Sequence, residues 1–147
     1  MKSHNAVYVD APTLNTIVTV NYDRTLYDAK WFKWSARIGI GSNFHYQTDI
    51  NIPVETSLLI GKGSHYAEIG AGMASYFLKQ DQIIAEWDDY KTQEYWLTSR
   101  LGYRLQTKHF ILRLAYTPYW LIRSGRGYYR ASDSFQSGPS LSIGYAF

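Results

Sequence analysis

A two-residue alternation of apolar and polar side chains runs through most of this 147-residue chain. It is clearest between residues 32 and 41, where the apolar parity comprises Phe32, Trp34, Ala36, Ile38 and Ile40. The opposite parity comprises Lys33, Ser35, Arg37, Gly39 and Gly41. Successive side chains of a strand point to opposite faces, so the alternation predicts strands with one apolar face. Helical periodicity is nearly absent.

We therefore predict an all-β chain that forms a single domain over residues 1–147. The pattern gives eight strands, at residues 5–11, 15–26, 32–42, 50–60, 65–77, 95–105, 110–120 and 135–147. No run approaches the roughly 20 apolar residues that a membrane-spanning helix needs.

The connections between these strands alternate in length. Short turns are predicted at Asp28–Lys30, Lys62–Gly63 and Thr107–Lys108. The connections after the third, fifth and seventh strands are longer and contain SNFHYQTD, LKQDQIIAEWDDYKTQE and IRSGRGYYRASDS. Short turns at one rim and long loops at the other are typical of an antiparallel up-and-down barrel in a bacterial outer membrane.

The predicted turns also predict which residues lie opposite one another. The turn at residues 62–63 pairs Ile60 with His65 and Glu55 with Gly70, and the turn at 107–108 pairs Gly102 with Arg113. The turn at 28–30 places Arg24, an outward residue, opposite Trp34. All three hairpins bring apolar residues onto the same face, as neighbouring strands of one sheet require.

The composition of the polar face indicates which side of the barrel is the interior. A soluble lipocalin-like barrel has its apolar face inside and an exterior rich in Lys and Glu. Here the polar face consists mainly of Gly, Ser and Ala, together with a charge network of Asp23, Arg37, Glu55, Glu68, Arg100, Arg104 and Arg113. An eight-stranded bore is just wide enough for side chains. We therefore predict an apolar exterior and a polar, plugged interior in which opposite charges neutralise one another.

Aromatic residues make up 17% of the chain, with 14 Tyr against 6 Phe. On the apolar face these aromatic residues cluster toward the strand ends, whereas the middle of that face is aliphatic. The short-turn rim has Tyr22, Trp34, Tyr103, Phe110, Tyr145 and Phe147, and the long-loop rim has Phe44, Phe77, Tyr95 and Tyr116. Two aromatic girdles mark the interfaces of a hydrocarbon layer.

The final strand, GPSLSIGYAF, places Leu141, Ile143, Tyr145 and Phe147 on one face. It resembles the assembly signal of gram-negative outer-membrane barrels, which implies recognition by the barrel-assembly machinery. GKGSHYAEIGAG, LGYRLQ and AYTP are similar to segments of small, mostly uncharacterised Bacteroidota-type outer-membrane barrels. The size and architecture resemble those of OmpA- and OmpX-type barrels. The resemblance implies an integral outer-membrane protein with periplasmic termini and extracellular long loops.

The last long connection is the candidate interaction site, with Arg123, Arg126, Tyr128, Tyr129 and Arg130. Arginine forks match phosphate oxygens, so lipopolysaccharide or an envelope protein is a candidate partner. The fifth-to-sixth connection is acidic, with Asp81, Glu86, Asp88, Asp89 and Glu94, and the two loops alternatively pair with each other or stay solvated. Three arginines in one loop do not form the basic groove of a nucleic-acid-binding protein.

Catalytic and metal-binding patterns are weak. The chain has no cysteine, and His4, His45, His65 and His109 lack the spacing of a metal site. Some eight-stranded barrels remove acyl chains from lipid A with a His and a Ser two residues apart, a spacing that this sequence lacks. No EF-hand spacing supports a calcium site around Asp88 and Asp89. We therefore expect no cofactor and no enzymatic activity.

The sequence as a whole predicts a non-enzymatic barrel with a structural or surface-interaction role. Two alternatives are an accessory subunit of a larger outer-membrane complex and a lipid A-modifying hydrolase. A soluble ligand-binding barrel is a third alternative. The start, MKSHNAVYVD, lacks the apolar region of a signal peptide, so for an exported protein we read it as the mature chain behind an added Met.

Overall fold

A computed structural model of the protein describes residues 3–12, 17–43, 49–78, 92–124 and 135–147. These residues form eight strands, β1 (Asn5–Pro12), β2 (Ile17–Asp28), β3 (Phe32–Asn43), β4 (Asp49–Lys62), β5 (His65–Leu78), β6 (Thr92–Gln106), β7 (Ile111–Ser124) and β8 (Phe135–Ala146). Every predicted strand is present, and its ends lie within four residues of the prediction.

The eight strands form one closed antiparallel barrel in which each strand pairs with its sequence neighbours. β1 also pairs with β8, which closes the barrel and leaves no free sheet edge. The predicted fold class is therefore confirmed. Within the described ranges, no helix is long and apolar enough to span a bilayer.

The three short turns each lie later in the chain than predicted. The two-residue turns are Lys30–Trp31, Gly63–Ser64 and Lys108–His109, because residues 29 and 32, 62 and 65, and 107 and 110 are paired. Gly63 has a φ of 69°, a left-handed conformation that suits glycine in a tight turn. A β-bulge between Thr25 and Tyr27 also changes the register of β2.

The predicted pairings were consequently wrong by two residues in all three hairpins. Glu55 lies opposite Gly72 instead of Gly70, and Ile60 lies opposite Ala67 instead of His65. Gly102 lies opposite Ala115 instead of Arg113, and Arg113 lies opposite Arg104. A shift of two residues leaves every side chain on its predicted face, so the assignment of inside and outside is unaffected.

Side-chain exposure shows which parity faces outward. Trp34, Ile38 and Leu114 are 49%, 53% and 58% exposed, whereas Arg37 and Arg113 are 6% and 0% exposed. The apolar parity therefore covers the exterior of the barrel and the charged parity fills the bore. This arrangement inverts that of a soluble barrel and agrees with the predicted polarity.

Candidate site in the barrel interior

Eight charged side chains meet in the centre of the bore. They are the carboxylates of Asp10, Asp23, Glu55 and Glu68 and the guanidinium groups of Arg37, Arg100, Arg104 and Arg113, all at most 6% exposed. Each lies on the inward parity of its strand, opposite the apolar parity that faces outward. With four carboxylates and four guanidinium groups, the cluster is formally neutral.

Asp23 of β2 and Arg104 of β6 form a bidentate pair across the bore. Arg104 Nη1 and Nη2 donate to the two carboxylate oxygens of Asp23 at 3.1 and 3.2 Å. Two parallel charge-assisted bonds fix both the distance and the orientation of the partners. The pair therefore links two strands that are not neighbours in the barrel.

Glu68 of β5 and Arg113 of β7 form a second bidentate pair. Arg113 Nε donates to Glu68 Oε2 at 2.9 Å, and Arg113 Nη2 donates to Glu68 Oε1. Arg113 also bonds the Tyr8 hydroxyl oxygen, and its guanidinium lies 4.8 Å from the centre of the Tyr8 ring. Both charged side chains are completely buried.

The other four charged groups form one connected cluster. Arg37 donates to Glu55 at 2.7 Å and to Asp10 at 3.3 Å. Arg100 donates to Asp10 at 3.1 Å, and its Nε lies 3.0 Å from Glu55 Oε1 without hydrogen-bond geometry. Ser142 donates to the remaining oxygen of Asp10 at 3.1 Å. The Asp10 carboxylate thus joins β1, β3, β6 and β8 through the bore.

Glycine provides room for these long side chains. A Cβ at Gly70 would lie 2.9 Å from Glu55 Oε1 and 2.8 Å from Ser57 Oγ, both closer than van der Waals contact. Gly70 therefore accommodates the Glu55 carboxylate although the two residues are not directly opposite. Arg104 and Arg113 are directly opposite, yet they are paired with different carboxylates on different strands.

Each end of the charged cluster is bounded by further polar side chains. Toward the short turns, Lys33 lies 3.6 Å from Asp28 and 5.0 Å from the centre of the Tyr66 ring. Toward the other rim, Glu94 accepts a bond from Trp96 Nε1 at 3.2 Å. Glu94 was predicted to lie in the acidic connection, but it belongs to β6 and is buried in the bore.

The other predicted site residues are placed as follows. Leu141, Ile143, Tyr145 and Phe147 all face outward, with exposures of 50–55%. Arg123 lies at the end of β7. The remaining loop candidates lie outside the described residues: Arg126, Tyr128, Tyr129, Arg130, Asp81, Glu86, Asp88 and Asp89. The histidine His45 also lies outside them.

Two histidines bond tyrosines on the exterior rather than one another. His65 Nδ1 bonds the Tyr103 hydroxyl, and His109 Nδ1 lies 3.1 Å from the Tyr145 hydroxyl. Among the residues that the structure describes, no three His, Asp or Glu side chains are grouped so that they hold a metal ion.

Sequence reasoning missed two members of the charge network, Asp10 and Tyr8. The signal for Asp10 was present, because it shares the parity of Tyr8 in a strand whose valines Val7 and Val9 take the other parity. Tyr8 was harder to assign, since its apolar ring also suits the exterior. Its hydroxyl position beside Arg113 depends on the tertiary structure.

The fold is similar to that of a solved bacterial barrel. The N-terminal β-barrel domain of OprF from Pseudomonas aeruginosa superposes with a TM-score of 0.69 over 100% of both chains, at 8% sequence identity. No protein-family model matches the chain. A comparison with curated protein sequences also found no match. The likeness therefore establishes the fold, and the resemblance to Bacteroidota-type barrels stays a prediction.

Proposed function

We propose that this chain is an integral β-barrel protein of a bacterial outer membrane with a non-enzymatic, structural or surface-interaction role. The observation that carries the proposal is the inverted polarity of the closed barrel. Apolar side chains such as Ile38 and Leu114 are more than half exposed, while paired charges fill the bore. Water is a poor solvent for such an exterior, whereas lipid chains suit it.

The rims of the barrel support the same proposal. Exposed aromatic side chains lie at both strand ends, among them Trp34 and Tyr145 toward the short turns and Phe77 and Trp120 toward the other rim. Tyr and Trp favour the level of the lipid headgroups because they combine an apolar ring with a polar atom. The similarity in fold to the OprF barrel domain agrees with this assignment.

We further propose that the short turns and the ends of β1 and β8 near Asn5 and Phe147 face the periplasm. The connections at the opposite rim then face the cell exterior, where their arginines and tyrosines contact lipopolysaccharide phosphates or an envelope protein. The outward side chains of β8 are proposed to be read by the barrel-assembly machinery during insertion.

A heat-modifiable shift in electrophoretic mobility is expected for the purified protein. A closed barrel resists dodecyl sulfate until it is heated, because every strand is paired on both sides. The protein is also expected to need detergent or lipid to stay dispersed. The measurement compares boiled and unboiled samples on a gel, with sedimentation before and after detergent removal. A monomer that stays dispersed without detergent would contradict the membrane assignment.

The bore is expected to give no large steady conductance in planar bilayers. The charged cluster crosses the bore and its carboxylates and guanidinium groups are bonded to one another, so a continuous water column has no room. A wide porin measured in the same bilayers is the positive control. A steady current comparable to that of the porin would show that the interior is open.

A further inference from the structure

Arg24 is a charged side chain on the outer wall, four residues before the end of β2. Among the outward side chains whose burial the structure describes, the other Lys, Arg, Asp or Glu is Lys62, which ends β4 beside a short turn. The neighbours of Arg24 in β2, Asp23 and Thr25, are buried in the bore, and Tyr22 faces outward with Arg24. A cation on the lipid-facing wall is costly without a partner, so its surroundings indicate what it binds.

The register places Arg24 deeper than the sequence predicted. Arg24 lies opposite Ala36 of β3 and Asn5 of β1, while Trp34 lies opposite Tyr27. The exposed aromatic side chains of Trp34 and Tyr27 lie between Arg24 and the short turn. Arg24 therefore lies within the aromatic girdle, between Tyr22 and Tyr27, at the level of the lipid headgroups.

Among the residues that the structure describes, none accepts a bond from the Arg24 guanidinium. Within the described ranges the guanidinium also has no ion pair and no aromatic ring beneath it. Ala36, which lies opposite Arg24, is too small to shield the exposed Arg24 side chain. The Tyr22 hydroxyl donates to Asn5 Oδ1 at 2.7 Å. This bond uses the acceptor end of the Asn5 amide, so its NH2 group remains as a second donor beside Arg24.

We propose that Arg24 and Asn5 form a binding site for the phosphate of a phospholipid in the leaflet at the short-turn rim. The Arg24 guanidinium and the Asn5 NH2 group are donors that have no acceptor among the described residues, which makes them complementary to an anion, and guanidinium forks match phosphate oxygens. Phosphates are present at the depth of the aromatic girdle, which favours a lipid over an acidic residue of another protein. The site rests on the proposed membrane location, and it adds a specific lipid contact to it.

Native mass spectrometry with a titrated lipid tests the site. Phosphatidylglycerol is added to the detergent-solubilised full chain, and diacylglycerol, which lacks the phosphate, is added in parallel. We expect Arg24→Gln to weaken phosphatidylglycerol binding about tenfold or more, because it removes charge-assisted bonds to the phosphate. Lys30→Gln is the matched control, since it removes the same charge from the exposed turn of the same hairpin.

Each outcome of this experiment is decisive. The site is supported if Arg24→Gln binds phosphatidylglycerol more weakly than the wild type does, while Lys30→Gln binds it as the wild type does. Unchanged binding in Arg24→Gln, equal losses in both variants, or equal binding of diacylglycerol would overturn it.

The heat-modifiable mobility shift is measured on all three proteins, so a variant that does not fold is recognised. In that case Arg24→Lys, which keeps the charge but loses the fork, is expected to bind with intermediate affinity. A wild type that lacks the shift would instead refute the membrane location.

Discussion

Replacing Glu68 with leucine is expected to destabilise the barrel by about 3–5 kcal/mol, the cost of leaving a buried charge without its partner. Glu68 accepts two bonds from Arg113, and both side chains are completely buried. In Glu68→Leu the Arg113 guanidinium loses both of these bonds, and among the described residues it keeps its contacts with the Tyr8 hydroxyl and ring. The measurement is the free energy of unfolding in urea, followed by tryptophan fluorescence in lipid vesicles.

A double variant separates the effect of the unpaired charge from the effect of changed side-chain packing. Glu68→Leu combined with Arg113→Met removes both charges, and it is expected to recover most of the lost free energy, because no charge is left unpaired. Asp28→Asn is the control at the rim, where its partner Lys33 lies 3.6 Å away, beside the Tyr66 ring, and the effect is expected to be much smaller. If the single and double variants lose the same free energy, the charge pairing is not what makes Glu68 important.

Gly144→Val is expected to prevent closure of the barrel. Gly144 lies opposite Tyr8 at the seam between β8 and β1, and an added Cβ would collide with the backbone of Val7 and Tyr8. We expect a loss of at least about 3 kcal/mol, the upper end of over-packing costs, because backbone cannot move aside as a side chain can. The measurement is the fraction of protein that shows the heat-modifiable mobility shift after refolding in detergent.

The neighbouring position provides a matched control for this variant. Ile143 faces outward on the same strand and is 55% exposed, so Ile143→Val removes one methyl group without entering the seam. It is expected to fold with a yield close to that of the wild type. A Gly144→Val protein that folds equally well would show that the seam tolerates a side chain and that the close approach of β1 and β8 is not essential.

The faces of the strands could be predicted because alternation is a local property of the chain. Ile38 and Arg37 are neighbours in sequence, and the pleat of any strand places them on opposite sides. The small residues around Arg37 then indicated a confined interior, which the exposures agree with. None of these conclusions required knowledge of which residue lies opposite which.

The register was predicted less well because a turn shifted by one residue changes the pairing by two. Gly63–Ser64 forms the turn instead of Lys62–Gly63, since Gly63 supplies the left-handed conformation at the first turn position. Both turns leave the same faces in contact, so the alternating pattern does not distinguish them. The bulge in β2 gave no clear signal either, and it helps to set the depth of Arg24 relative to Trp34.

The sequence alone thus determined the number of strands, their faces and the inverted polarity, since each follows from residues close together in the chain. Only the tertiary structure decided which carboxylate meets which arginine. Arg104 and Asp23 are 81 residues apart, and Arg100 and Asp10 are 90 apart. These partners meet across the bore, on strands that do not pair with each other, so their contact depends on the closure of β1 on β8 and on the register of every hairpin between them.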